Sequence, residues 1–219
     1  MSEADALRAE EVAQYLEQHP EFFVHHAQLL TQIEVPHPHG AGAISLAERQ
    51  VLALRDKNKA LETKLGELIR YGEENDDISQ RVHRLAVETV RAATLQDLFE
   101  RVYRSIQGDF GIGHAGIRLW RGSGEAVEFG ETSAELQRFA AELPRPFCGP
   151  NENFEAVAWF GDAGTSVRSV AFIPLRDEAA VFGMLALGSD DAGRFYSQMG
   201  TLYLQRIGEL TSAALLRVL

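Results

Sequence analysis

Apolar residues recur at more than one spacing along the chain, and each spacing predicts a different element. In DALRAEEVAQYLEQHP, Leu7, Val12, Tyr15 and Leu16 fall close to one helical face. Pro20 ends that helix near His19, because proline has no amide to donate and clashes with the preceding turn. A second short helix, EFFVHHAQLLTQIEV, carries Phe22, Phe23, Leu29, Leu30 and Ile33. The run VPHPHGAG from Val35 reads as a loop, punctuated by two prolines and two glycines. A helical pair this small buries too little to fold alone, so it is expected to dock on the next segment or on a second chain.

Residues 44–83 carry the clearest helical pattern. Ser45 and Glu48 fit a capping box, in which the hydroxyl accepts a first-turn amide and the carboxylate reaches back. Val51, Leu54, Leu61, Leu65 and Leu68 then follow a 3-4 spacing. With Val51 at heptad position a, Leu54 is d, Asn58 a, Leu61 d, Leu65 a and Leu68 d. This is a coiled-coil seam with one asparagine in its core, a device that fixes register and oligomer number. Lys57 and Glu62 occupy g and e, where interhelical charge pairs form. Gly72 and Asn75 fill the next core positions, and the apolar series resumes out of phase at Ile78, Val82 and Leu85. A bend or a change of partner is therefore expected near residues 72–76. Forty residues make a helix of about 60 Å. An amphipathic helix packed on its own domain is the alternative reading.

Residues 77–219 alternate helix and strand patterns. The helix continues to about Ala93. Thr94 with Asp97 caps another, which Gly108–Gly113 breaks. HAGIRLW is predicted as a strand, turned through Arg121-Gly-Ser-Gly into EAVEFG as a hairpin. A short helix over 133–142 is capped by Thr132 with Glu135, and AVAWF at 156–160 is a short strand. SVRSVAFIPL (166–175) and AVFGMLALGS (180–189) are the strongest strands. From Phe195 to Leu219 the residues Met199, Leu202, Tyr203, Ile207, Leu210, Ala214 and Leu216 form the broad stripe of a docking helix. The fold class is α+β, in three parts: a helical cap and His/Pro loop (1–43), a dimerisation helix (44–76) and a mixed domain (77–219).

Composition narrows this. At 219 residues the chain is about one and a half domains long, and the extra half is the cap and long helix. With 45% hydrophobic and 24% charged residues, a packed core is feasible. The longest nearly apolar run, Ala179–Leu187, is half of the roughly 20 residues that span a membrane. The acidic start is unlike a signal peptide, which points to the cytoplasm and away from the membrane. One cysteine, Cys148, permits no intrachain disulfide and no Cys-rich zinc site. A net charge of −11 argues against nucleic acid as a partner.

The succession of a helix, paired strands and an irregular middle, then Ser169-Val-Ala-Phe-Ile-Pro-Leu, Phe182-Gly-Met-Leu-Ala-Leu-Gly-Ser and a terminal helix, resembles the GAF domain. The resemblance implies a central antiparallel sheet flanked by helices, with a ligand pocket between the sheet and the middle loops. The N-terminal segments VAQYLEQHPEFF, VPHPHGAGAISLAERQ and LRDKNKALETKLGELI are similar to the bacterial domain of unknown function numbered 484. That family brings no established activity.

In a GAF-like pocket the lining candidates are Arg118, Trp120, Phe147, Phe154, Trp159, Arg168 and Ser169. Aromatic walls with an arginine suit a planar or anionic ligand. The competing reading makes the aromatics core and puts Arg168 on the solvent face. Strand parity decides, since the facing side flips with every residue. Asn151-Glu-Asn-Phe-Glu lacks the lysine and spacing of cyclic-nucleotide binders, and Cys148 is followed by Gly149, unlike a bilin-attachment cysteine. One cysteine cannot form and resolve a disulfide within the chain. His25, His26, His37 and His39 cluster, but no spacing fixes a third ligand, so no metal is assigned. No catalytic constellation and no defined cofactor emerge. The expectation is a dimeric regulatory or sensory module, with a small-molecule ligand and an unidentified protein partner. A ligand-free interaction scaffold is the alternative.

Overall fold

The computed structural model describes residues 9–29, 33–36, 43–178 and 180–219, and the chain divides into two units, Met1–Tyr71 and Gly72–Leu219. Leu7, Leu30, His37, His39 and the side chains of the Ser45/Glu48 box lie outside the described residues.

In the first unit, helix α1 (Ala9–Gln18) leads into the single turn α2 (Phe22–His25). The second helix is therefore shorter than its apolar content suggested. Tyr15 and Phe22 meet edge to face at 6.1 Å, and Phe22 and Phe23 at 5.4 Å. Strands β1 (Glu34–Pro36) and β2 (Ala43–Ser45) pair antiparallel, with Glu34 opposite Ser45, so Val35 and Pro36, read as the start of a loop, belong to a strand. Helix α3 then runs unbroken over Leu46–Arg91, through Gly72 and Asn75. What changes there is burial. Every side chain from Arg49 to Asp77 is exposed, whereas Val82, Leu85 and Thr89 are buried.

The second unit contains the rest of α3, then α4 (Leu95–Gly108), β3 (His114–Leu119), α5 (Ala134–Glu142), β4 (Phe147–Pro150), β5 (Ser169–Asp177), β6 (Ala180–Ser189) and α6 (Leu202–Val218). The sheet has the order β3-β6-β5-β4, and every neighbour is antiparallel. Alternation sorts the strands into two faces. Ile117, Leu119, Cys148, Ala171, Ile173, Leu175, Leu185 and Leu187 share one core with Leu85, Leu98, Phe99, Ile106, Ile207 and Leu215 of the helices. Val170, Phe172, Met184 and Ala186 share the other with Leu136 and Ala140 of α5, Ala156 and Val167. Both faces of the sheet are thus covered, which explains why β5 and β6 read as nearly continuous apolar runs.

Capping behaves as the sequence suggests at α4, where the Asp97 amide donates to Thr94 Oγ1 at 3.2 Å. At α5 the cap is Ser133 rather than Thr132: its Oγ accepts from the Leu136 amide at 3.1 Å. Three strand or helix expectations need correction. EAVEFG forms no strand. Val127–Phe129 is a 3₁₀ turn, and β3 pairs with β6 alone. AVAWF lies inside a 3₁₀ segment, Glu155–Ser166, kinked at Gly161 where φ is +62°. The C-terminal helix begins at Leu202, with Phe195 buried ahead of it.

Candidate functional site

The second face of the sheet carries most of the pocket candidates, and it is filled by the chain itself. Phe147 on β4 stacks on Phe172 of β5 at 5.8 Å, and Phe154 meets Phe172 at 5.1 Å and Phe147 at 5.6 Å. Phe139 of α5 closes on all three at 6.0–6.3 Å. Such offset and edge-on pairs bring large apolar areas together in favourable ring geometry. Trp159 lies against β3: a Cβ on Gly116 would sit 3.1 Å from the Trp159 Cβ. The Arg118 guanidinium lies over the Trp159 ring at 5.2 Å and donates to the Ile117 carbonyl at 2.9 Å. The Trp120 indole donates to the Val181 carbonyl at 2.9 Å.

Phe147 with Phe154, and Arg118 with Trp159, are therefore brought together. Arg168 and Ser169 do not join them. Arg168 is exposed. Ser169 points to the opposite, helix-covered face, where its hydroxyl donates to the Asp191 carbonyl at 2.6 Å and accepts from the Phe195 amide at 3.3 Å. This buried hydroxyl closes the loop after β6.

Several hollows are open among the described residues of this unit. A groove of about 540 Å³ has Ile78, Phe110, Ile112, Met199, Tyr203 and Ile207 in its wall, with Arg81 and Arg194 among its polar residues. Tyr203 fixes one side, donating to the Asn75 carbonyl at 3.1 Å and sharing a 3.0 Å hydrogen bond with Ser79. A second hollow, about 380 Å³, lies among Pro144–Pro146, Pro174, Arg176 and α6. The third, about 430 Å³, includes Trp120, Gly122, Gly130 and Gln137. Sequence reasoning missed the first groove, because its wall comes from three stretches far apart in the chain. Its early signals were the return of apolar periodicity at Ile78 and the C-terminal stripe through Met199, Tyr203 and Ile207.

The titratable groups are tied into local structure. The Tyr103 hydroxyl donates to the buried Glu128 carboxylate at 2.9 Å and accepts from the Ile117 amide at 3.1 Å. Burial, then the nearby Glu128 charge, raises the Tyr103 phenol above its ordinary value. Asp190 accepts from Ser166 at 2.7 Å and pairs with His114 at 2.9 Å, and these two contacts hold its carboxyl below the usual range. Serine and histidine share the carboxylate here, an arrangement unlike a nucleophile–base–acid relay. Burial pushes the Cys148 thiol up to about 11. A thiol is a nucleophile chiefly as the thiolate, and burial favours the neutral thiol of Cys148. His25 and His26 are exposed, with His26 tilted on Phe22 at 4.7 Å. Among the described residues, no three His, Cys, Asp or Glu side chains are grouped to hold a metal, and no helix is long and apolar enough to cross a membrane.

On the first part of α3, Val51, Leu54, Leu61, Leu65 and Leu68 are 45%, 66%, 56%, 58% and 67% exposed, and Asn58 is exposed beside them. Among the described residues, nothing covers that stripe.

The sequence is 28% identical over 207 residues to the uncharacterized protein YigA of Escherichia coli K12, covering 90% of this chain and 86% of that protein. The YigA of Shigella flexneri is 29% identical over 207 residues, with the same coverage. Among solved structures, the A. aeolicus nlh2 GAF domain in an inactive state is similar at 14% identity and a TM-score of 0.48, covering 65% of this chain and 98% of that one. The GAF domain of a putative sensor histidine kinase from Pseudomonas syringae pv. tomato is similar at 16% identity and a TM-score of 0.47, covering 68% and 91%. Residues 2–218 match the family described as protein of unknown function, DUF484, and the chain belongs to that family.

Proposed function

We propose that this chain is a dimeric regulatory module: a second copy covers the Val51–Leu68 stripe, and the sheet domain is its sensory part. The observation that carries the reading is that exposed apolar stripe. Five large aliphatic side chains at a/d spacing stand in solvent on one helix, with a polar Asn58 among them. Isolated exposed apolar residues are ordinary, but a contiguous seam marks an interaction surface. The same helix α3 continues into the domain core through Val82, Leu85 and Thr89, so its two parts share one backbone. A ligand acts on such a module only by distinguishing two of its states. The 540 Å³ groove, walled partly by α3, offers room for a small molecule with an apolar body.

The closure of the second sheet face by Phe139, Phe147, Phe154 and Phe172 favours one further reading, a scaffold that binds partners and no small ligand. Two measurements separate these. Sedimentation should give twice the chain mass of 24.2 kDa, and a monomer would remove the central claim. A thermal-shift panel of nucleotides, amino acids and organic acids tests the sensor. A ligand at 100 times its Kd should add about 2.7 kcal/mol, and a flat panel would leave the scaffold.

A further inference from the structure

Resting on that dimeric reading, we infer that the second copy lies parallel and in register, so that each Asn58 faces its own equivalent. Two arrangements satisfy the apolar stripe. In the parallel one every seam residue meets itself. In the antiparallel one Val51 meets the partner's Leu68, Leu54 the partner's Leu65, and Asn58 the partner's Leu61, and all six positions are again used. Apolar matching alone does not choose between them, and the polar positions do.

Parallel pairing brings Lys57 at g beside the partner's Glu62 at e, twice by symmetry. No like charges face each other: the remaining g–e neighbours are Gln50 with the partner's Arg55, and Lys64 with the partner's Ile69. Ile69 is 55% exposed in the single chain, and the aliphatic stem of Lys64 covers it in this arrangement. The two Asn58 amides meet and satisfy each other. Antiparallel pairing instead joins g to g and e to e. Arg55 then gains the partner's Glu62, but Lys57 is set against the partner's Lys64, also twice. Each Asn58 amide is pressed on a leucine with no partner, and a buried unsatisfied amide is costly. Lys57, Asn58 and Glu62 are exposed and hold no hydrogen bond or ion pair within the chain among the described residues, so all three are available. The charge pattern and the asparagine thus favour the same orientation. The two chains leave the seam at Leu68 side by side.

The full-length chain in a Cys148→Ser background provides the test. With Leu54→Cys, mild oxidation should link the chains into covalent dimers, because the two sulfurs face each other. In the antiparallel pair the Leu54 positions are eleven residues out of step, about 16 Å apart, and only a mixture of Leu54→Cys and Leu65→Cys chains would link. The charge test needs no cysteine. Lys57→Glu should weaken dimerisation about tenfold by opposing two Glu62 side chains, and mixing it with Glu62→Lys should restore it. A dimer that is strengthened by Lys57→Glu, or that links only in the Leu54/Leu65 mixture, would overturn the orientation while leaving the dimer intact. A monomeric wild-type chain would remove the dimer as well.

Discussion

Close backbone approach in the sheet depends on single glycines. At Gly183 of β6 a Cβ would lie 2.6 Å from Leu119 Cδ2 and 2.8 Å from the Arg118 carbonyl oxygen. The side chain could move, but the carbonyl belongs to the β3 ladder and cannot. Gly183→Ala is therefore expected to destabilise the domain by about 1–3 kcal/mol, lowering the Tm by a few degrees. An unchanged melt would show that β3 yields easily. Other glycines explain a misreading. Gly122 and Gly124 looked like the turn of a hairpin, and Gly122 does have φ of +89°. Their neighbour, however, is the Phe129 ring, which a Cβ on Gly124 would meet at 2.9 Å. They make room for an aromatic folding back, and spacing alone does not distinguish that from a strand turn. Ser169 was misplaced for a related reason: strand parity was unknown until the register with β4 and β6 was set.

Elements covered on both faces or started by a local cap were readable, and edge or irregular ones were not. β5 and β6 are continuous apolar runs because both faces are covered, and Thr94/Asp97 announces α4 because a cap is local chemistry. β4 was hidden between Pro146 and Pro150: it is an edge strand, where proline is tolerated. AVAWF has strand composition, yet Gly161 and Gly164 let the chain curl into 3₁₀ turns against β3. At the junction of α3 and α4, Arg101 pairs with both Glu88 and Asp97. Hydrogen bonding to Arg101 is the main cause that holds both carboxyls below their ordinary values of 4.5 and 3.8. A depressed folded-state value means the stabilisation is present above the ordinary value and is lost as pH falls through the folded one. The Tm of the wild type should fall more steeply below about pH 4.5 than that of Arg101→Gln. Parallel curves would show that the network contributes nothing measurable, as exposed pairs often do.

For the molecule as a whole, the length and the exposed apolar stripe were legible together. A chain of one and a half domains with a heptad stripe has more helix than its own core can cover, and the exposed Arg49–Asp77 stretch matches that expectation. The groove was not legible, because it is a product of tertiary packing. Where the exposed stripe gives way to the core was visible only as a loss of phase at Gly72 and Asn75. The backbone does not break there. The helical assignment is continuous while the apolar periodicity changes phase, so the side chains rather than a break in the helix record the transition.

The uncovered stretch of α3 has a thermodynamic consequence. A helix without tertiary partners rests on intrinsic propensity, which in water is marginal, and Gly66 and Gly72 each subtract about 1 kcal/mol relative to alanine. If two chains associate as proposed, its helicity and their association form one linked equilibrium, governed by mass action. The far-ultraviolet helical signal per residue should decline on dilution from micromolar to nanomolar protein, while the near-ultraviolet signal of the domain, which holds both tryptophans, stays constant. A helical signal indifferent to dilution would mean that the segment stands unaided. A declining one would support the proposed pairing, with the ordering of this stretch reporting how many copies of the protein are present.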